Sequence, residues 1–283
     1  MGRLLVAPAI ALIGIVALVP LVYSIWTAFV RFNLRSQDHP FVGFDNFAAA
    51  LGDPNFRRAL IFTFAIAGVV TVIEVTLGTG LAIALHSRDR RWRQILLPLL
   101  VAPMFVAPVV VGQLWKLFTS STYGVLNPIL SGLPGLEVSV DWLAGWPWNL
   151  VTIAASDIWQ WTPLPLVIVL AALSAFDDHV LEAAAVDGAD GWRRLRHITL
   201  PLLTPAILTA IFFRFADALR MYDKIVVLTN GGPGRNTETI TFYLVEKGLR
   251  GSFDTGVATA GSWIFLIITS LLLFRFLSRR VAA

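Results

Sequence analysis

Apolar residues in this chain come in long runs separated by polar stretches. Leu4 to Val30 carries no charged residue, and comparable runs cover about 59–85, 95–118, 150–172, 202–228 and 255–274. Crossing a bilayer takes about 20 apolar residues. The pattern therefore predicts six transmembrane helices and an all-α integral membrane protein, organised as one domain over 1–283. The first run exceeds the roughly 7–15 apolar residues of a cleaved signal peptide and is read as a retained span.

The polar stretches set the loops. Residues 31–58, 119–149 and 229–254 are expected on one side of the membrane. The middle one is rich in Gly and Pro and holds Trp142, Trp146 and Trp148. Asn230-Gly231-Gly232-Pro233-Gly234 is a strong turn signal. Pro98, Pro103 and Pro108 interrupt the third span, and Pro163 and Pro165 the fourth. Such prolines bend helices and free backbone carbonyls. In a membrane these are tolerated where neighbouring helices or a wet cavity satisfy them, a habit of transporters.

Six spans put both termini on one face. If that face is cytoplasmic, its segments hold eleven basic residues, among them Arg88, Arg90, Arg91, Arg93, Arg193, Arg194 and Arg196. The opposite loops hold seven, spread over longer stretches. The positive-inside rule then places the termini, and the segment about 174–201, in the cytoplasm.

Composition narrows the chemistry further. Of 283 residues, 57% are hydrophobic and 14% charged, so the net charge of +4 implies no nucleic-acid partner. Cysteine is absent, which excludes disulfides, zinc–thiolate sites and iron–sulfur clusters. His39, His86, His179 and His197 are scattered without metal-ligand spacing, and no phosphate-binding G-x-x-x-x-G-K-[ST] loop occurs. Gly78-Thr79-Gly80 lies inside an apolar run and is read as helix packing. No catalytic constellation appears, so uphill movement of a solute needs energy from a partner or an ion gradient.

Eight ionisable residues fall within or at the edges of the spans: Glu74, Lys116, Asp157, Arg214, Asp217, Arg220, Asp223 and Lys224. Groups of this kind are expensive in hydrocarbon and face protein or water. Arg214, Asp217, Arg220 and Asp223 are spaced by three with alternating sign, neighbour spacing on a helix. They form either a self-paired ladder or the wall of a polar cavity. Glu74 is expected to make an interhelical hydrogen bond, and Lys116 to snorkel at the outer end of the third span.

The longest polar insert between apolar runs is Leu181 to Pro205. Glu182-Ala183-Ala184-Ala185 favours helix, Gly188 can end it, and a second short helix carries Trp192, Arg193, Arg194, Arg196 and His197. Pro201 suits the first turn of the next span. The run EAAAVDGADGWRRLRHITLPLLTP, with Glu182, Ala183, Ala184, Gly188, Ile198, Leu200 and Pro201 at fixed spacing, resembles the "EAA" loop in membrane subunits of ABC importers. Trp161-Thr162-Pro163, the run from Arg214 to Thr237 with its Gly-Gly-Pro, and Pro103 to Asn127 with Trp115 and Gly124 are similar to its carbohydrate branch, the maltose and glycerol-3-phosphate type.

The resemblance implies a type I importer permease fold in a bacterial or archaeal cytoplasmic membrane. It implies no cofactor in this chain, with ATP and Mg bound by two partner ATPase subunits. It also implies a second, related permease and an extracytoplasmic solute-binding protein. The ATPase-coupling residues would be Glu182, Ala183, Ala184, Asp187, Gly188, Ala189, Ile198, Leu200 and Pro201. Sugars prefer aromatic faces beside hydrogen-bonding groups, and Gln113, Trp115, Asp157, Gln160, Trp161, Arg214, Asp217 and Tyr222 are the candidates along the substrate pathway. A neutral sugar is favoured over a phosphorylated solute, because Asp217 and Asp223 would neutralise Arg214 and Arg220. The competing reading is a proton-coupled secondary carrier using Glu74 and Asp157.

Overall fold

Proline marks where three of the helices begin. Its fixed φ and missing N–H suit the first helical turn. In the computed structural model, which describes residues 2–135, 137–176 and 191–281, Pro54, Pro108 and Pro163 each open a helix. The helices are α1 (Gly2–Phe29), α2 (Asp45–Gly52), α3 (Pro54–His86), α4 (Arg90–Val101), α5 (Pro108–Phe118), α6 (Leu126–Ser131), α7 (Trp148–Trp161) and α8 (Pro163–Ser174). After the undescribed stretch come α9 (Gly191–Arg194), α10 (Leu200–Ala218), α11 (Asp223–Leu228), α12 (Ile240–Val245) and α13 (Thr255–Val281). No strand is present among the described residues.

Five helical stretches are long and apolar enough to cross a membrane, and a sixth span results if one bent pair counts as one. Their outward faces stay apolar: Ile10, Ile13 and Val16 of α1 are each more than 60% exposed. Water would not tolerate such a surface over whole helices, and lipid does.

Three stretches differ from straight spans. The third is two arms meeting at 98°, α4 with a 3-10 turn at Ala102–Phe105, then α5. Pro103 and Pro108 deny the backbone a continuous ladder there. The expected fifth span, about 202–228, stops at Ala218, and α11 follows as a separate short helix. The second short helix expected before Pro201 does not end there. The chain stays helical from Gly191 to Ala218 through a π-turn at Leu195–Thr199, where the Leu200 N–H reaches the Leu195 carbonyl. This wider turn changes the hydrogen-bond register just before Pro201, so the missing proline N–H does not break the run.

The chain divides into two compact units, residues 1–62 with 239–283, and residues 63–238. In the first, Phe56, Ala59, Ile240 and Tyr243 form a buried core against Ile264 and Phe265 of α13. Asn46 donates to the carbonyls of Ala28 and Val30 at 2.9 and 2.8 Å, so the end of α1 is satisfied by a side chain.

In the second unit, Ala82, Leu85, Leu166, Val169, Leu170, Leu173 and Leu203 knit α3, α8 and α10 together. Gly78 makes the crossing close: a Cβ there would stand 2.8 Å from Pro165 Cβ and 2.9 Å from the Thr162 carbonyl oxygen. The Trp-bearing loop is tied down by Asn127, which accepts from Trp142 Nε1 at 2.7 Å and donates to the Val140 carbonyl at 3.0 Å. In the glycine loop Gly231 and Gly234 take positive φ, and Thr237 donates to the Gly232 carbonyl at 3.0 Å.

Candidate functional site

The second unit carries a polar core where an apolar one would be cheaper. Glu74 of α3, Asp157 of α7 and Arg214 of α10 are buried, as is Lys224 of α11. Arg214 is the hub. Its Nε donates to Glu74 Oε2, its Nη2 to Glu74 Oε1 at 3.2 Å and to Asp157 Oδ2 at 2.5 Å, and its Nη1 to Asp217 Oδ2 at 2.9 Å. Lys224 Nζ donates to the other Asp157 oxygen, also at 2.5 Å. Two cations thus meet two carboxylates from four helices, and the buried set is electrically neutral. That satisfies the requirement on charge in a low-dielectric interior.

The break after Ala218 makes this possible. Residues 214 and 224 on a straight helix would lie about 15 Å apart along its axis. Here the last turn tightens through Arg220 N–H to the Asp217 carbonyl and Met221 N–H to the Ala218 carbonyl. The chain then restarts as α11, and both cations address one carboxylate.

Above this cluster opens a cavity of about 240 Å³. Asp157, Trp161, Arg214, Asp217, Arg220 and Tyr222 line it, with Asp223, Lys224 and Pro108. Arg214 sits over the Trp161 ring, 5.3 Å from its centre. Arg220, largely exposed, donates to Asp217 at 3.0 Å. The expected ladder therefore holds for Arg214, Asp217 and Arg220, while Asp223 starts the next helix. Glu74 makes the interhelical bond expected of it.

Five of the eight pathway candidates come together at this cavity: Asp157, Trp161, Arg214, Asp217 and Tyr222. Three do not line it. Gln113 faces outward on α5, and Trp115 packs edge-on against Phe118. Gln160 is buried and donates to the Val106 carbonyl at 2.6 Å, at the bend between α4 and α5. Sequence reasoning left Glu74 and Lys224 out of the candidate set, although an ionisable residue within a span was signal enough to include them.

Of the coupling candidates, Glu182, Ala183, Ala184, Asp187, Gly188 and Ala189 lie outside the described residues. Ile198 belongs to the π-turn; Leu200 and Pro201 begin α10. Ile198 and Leu200 are half-buried and Pro201 is exposed, while Trp192 ahead of them is 70% exposed.

Long apolar helices, broken at proline and set beside a polar, charge-balanced cavity, fit a membrane permease. The chain belongs to the family of binding-protein-dependent transport system inner membrane components, whose model matches residues 74–283. It is 36% identical to a probable ABC transporter permease protein, y4oQ, of Sinorhizobium fredii, over 92% of this chain and 83% of that one. It is 30% identical to the trehalose/maltose transport system permease protein MalF of Thermococcus litoralis, over 97% and 92% respectively. The fold matches a solved chain of a bacterial ABC transporter that imports the acidic polysaccharide alginate. There the TM-score is 0.85 and the identity 26%, covering 98% of this chain and 94% of that one. The chain is thus an ABC transporter permease subunit.

Proposed function

We infer that this subunit forms half of the passage through which an ATP-driven importer takes up a sugar, oligosaccharide or polyol. The carrying observation is the cavity beside Trp161. It offers an aromatic face and a ring of hydrogen-bonding side chains, and beneath it Arg214 already serves three carboxylates. Arg220 in the same lining is held by Asp217, and the three cations of the cavity face the three carboxylates of Asp157, Asp217 and Asp223, so this charge balance favours an uncharged polyhydroxyl ligand over a phosphorylated one. Relatives named for trehalose and maltose transport support the same class.

Energy comes from outside this chain. Two partner ATPase subunits bind ATP and Mg, a second related permease completes the passage, and an extracytoplasmic binding protein delivers the solute. With the termini in the cytoplasm, the segment from Glu182 to Pro201 docks on an ATPase. Closing the ATPase dimer then moves the spans as a rigid body between outward and inward access.

The test is purification of the tagged chain from its native membrane, with mass spectrometry of what accompanies it. A co-purifying ATPase, a second permease and a binding protein stabilised thermally by neutral sugars are expected. Glu182→Lys and Gly188→Trp should stop uptake while the binding protein keeps its affinity. Uptake without ATP that collapses with an uncoupler would instead establish the proton-coupled carrier.

A further inference from the structure

A second cavity stands apart from the passage. It is a groove of about 440 Å³ between α4 and α8, and Arg90, Arg93 and Gln94 stand at one end of it. Leu97 of α4 and Val167, Leu170 and Ala171 of α8 form its walls. Among the described residues no acidic residue lines it and neither arginine has an ion-pair partner.

The rest of α4 says what surrounds the groove. Arg90, Arg93 and Leu97 share one face at helical spacing, since residues three and four apart are neighbours. Trp92, Ile95 and Leu99 form another face and are 58%, 64% and 69% exposed. An outward stripe of that kind, headed by a tryptophan and flanked by Arg88 and Arg91, sits where hydrocarbon gives way to headgroups. The groove lies beside that stripe, with two cations at one end and apolar walls beyond them. From Ser174 to Val167 the trough runs about 10 Å along α8, room for a segment of acyl chain.

We propose that this groove binds an anionic phospholipid, its phosphate held by Arg90 and Arg93 and one acyl chain laid along Leu97, Val167 and Ala171. A polar anion such as free phosphate would satisfy the arginines but leave the trough unfilled. A neutral lipid would fill the trough and leave two cations without a counter-charge. Only a molecule that is both anionic and amphiphilic matches both ends.

The test uses the assembled transporter, with dioleoyl phosphatidylglycerol as probe and dioleoyl phosphatidylcholine as control. Retained lipid is read by native mass spectrometry and affinity by titration. Each basic residue near a membrane surface contributes about fivefold in affinity, so Arg90→Gln with Arg93→Gln should weaken phosphatidylglycerol binding about thirtyfold. Arg88→Gln with Arg91→Gln, equal in charge but outside the groove, should weaken it much less. Ala171→Trp, which fills the trough and keeps both arginines, should also expel the lipid. Equal loss in both arginine pairs would mean general surface attraction and would overturn the site. So would competition by inorganic phosphate at the lipid's own strength, or crosslinking of the Ala171→Cys variant to another subunit.

Discussion

Asp157 and Arg214 lie 57 positions apart, and their side chains meet at 2.5 Å with both shut away from solvent. Arg214 also holds Glu74, which is fully buried. Removing one member of a buried ion network leaves the others charged and unpaired, at a cost of about 3–5 kcal/mol. Arg214→Met should therefore lower the thermal stability of the detergent-purified chain sharply. Arg214→Met combined with Glu74→Leu should recover part of the loss, because one stranded carboxylate is gone. A single variant no less stable than the exposed Arg220→Gln would show that the network does not hold the helices.

Lys224 tests neutrality. Lys224→Met leaves Asp157 still held by Arg214, so it should cost less stability than Arg214→Met, but the cluster gains a net negative charge beside the cavity. Uptake in proteoliposomes containing all subunits should fall about tenfold, while solute affinity of the binding protein stays unchanged. Adding Asp157→Asn restores the balance of one cation and one carboxylate, and with it much of the uptake. Equal uptake by the single and double variants, both near wild type, would remove charge balance from the account.

The crossing at Gly78 makes a steric prediction with a built-in control. A Cβ at Gly78 meets the Leu166 amide nitrogen and the Thr162 carbonyl oxygen, each at 2.9 Å, and backbone cannot rotate aside. Gly78→Val should cost about 1–3 kcal/mol or more through overpacking. Gly80, two residues on in the same helix, has nothing within 4 Å of the corresponding position. Gly80→Ala should be neutral or stabilise by up to about 1 kcal/mol through helix propensity. Thermal unfolding of the two variants side by side decides the matter, and similar effects would contradict the close approach.

Much of this fold is legible because a bilayer asks for few things and asks strictly. The apolar runs announce the spans, and Pro108 and Pro163 stand where α5 and α8 begin. The break after Ala218 is not announced: residues 219–222, Leu-Arg-Met-Tyr, contain neither proline nor glycine. It serves a partner in another helix, Asp157, which local sequence does not specify. The same limit governs the site. Asp157, Trp161 and Arg214 stand out as polar or aromatic groups within spans, and they meet. Gln113 and Trp115 have the same chemistry on α5, yet a single sequence does not say which face of that helix meets the cavity. The Glu74–Arg214 pair, 140 positions apart, could be guessed only as two charges needing partners.

The last prediction concerns pH and lies in the first unit. Asp53 precedes α3 and is hydrogen-bonded by the Tyr243 hydroxyl at 2.7 Å and by the Asn55 amide at 2.8 Å, with Lys247 at 3.8 Å. Burial pushes its carboxyl up, but these bonds and the lysine outweigh that, so it sits below its usual value of 3.8. A carboxyl lowered on folding adds stability above its unfolded value and loses it as pH falls through the folded one. The Asp53→Asn variant should thus be less stable than wild type by about 1.5–3 kcal/mol at pH 7, the range of a charge-assisted hydrogen bond. That gap should stay level down to about pH 5 and close only below the usual value of 3.8. Thermal scans of both proteins across pH 3–8 measure it. A gap that closes between pH 6 and 8 would assign the stabilisation to some other group.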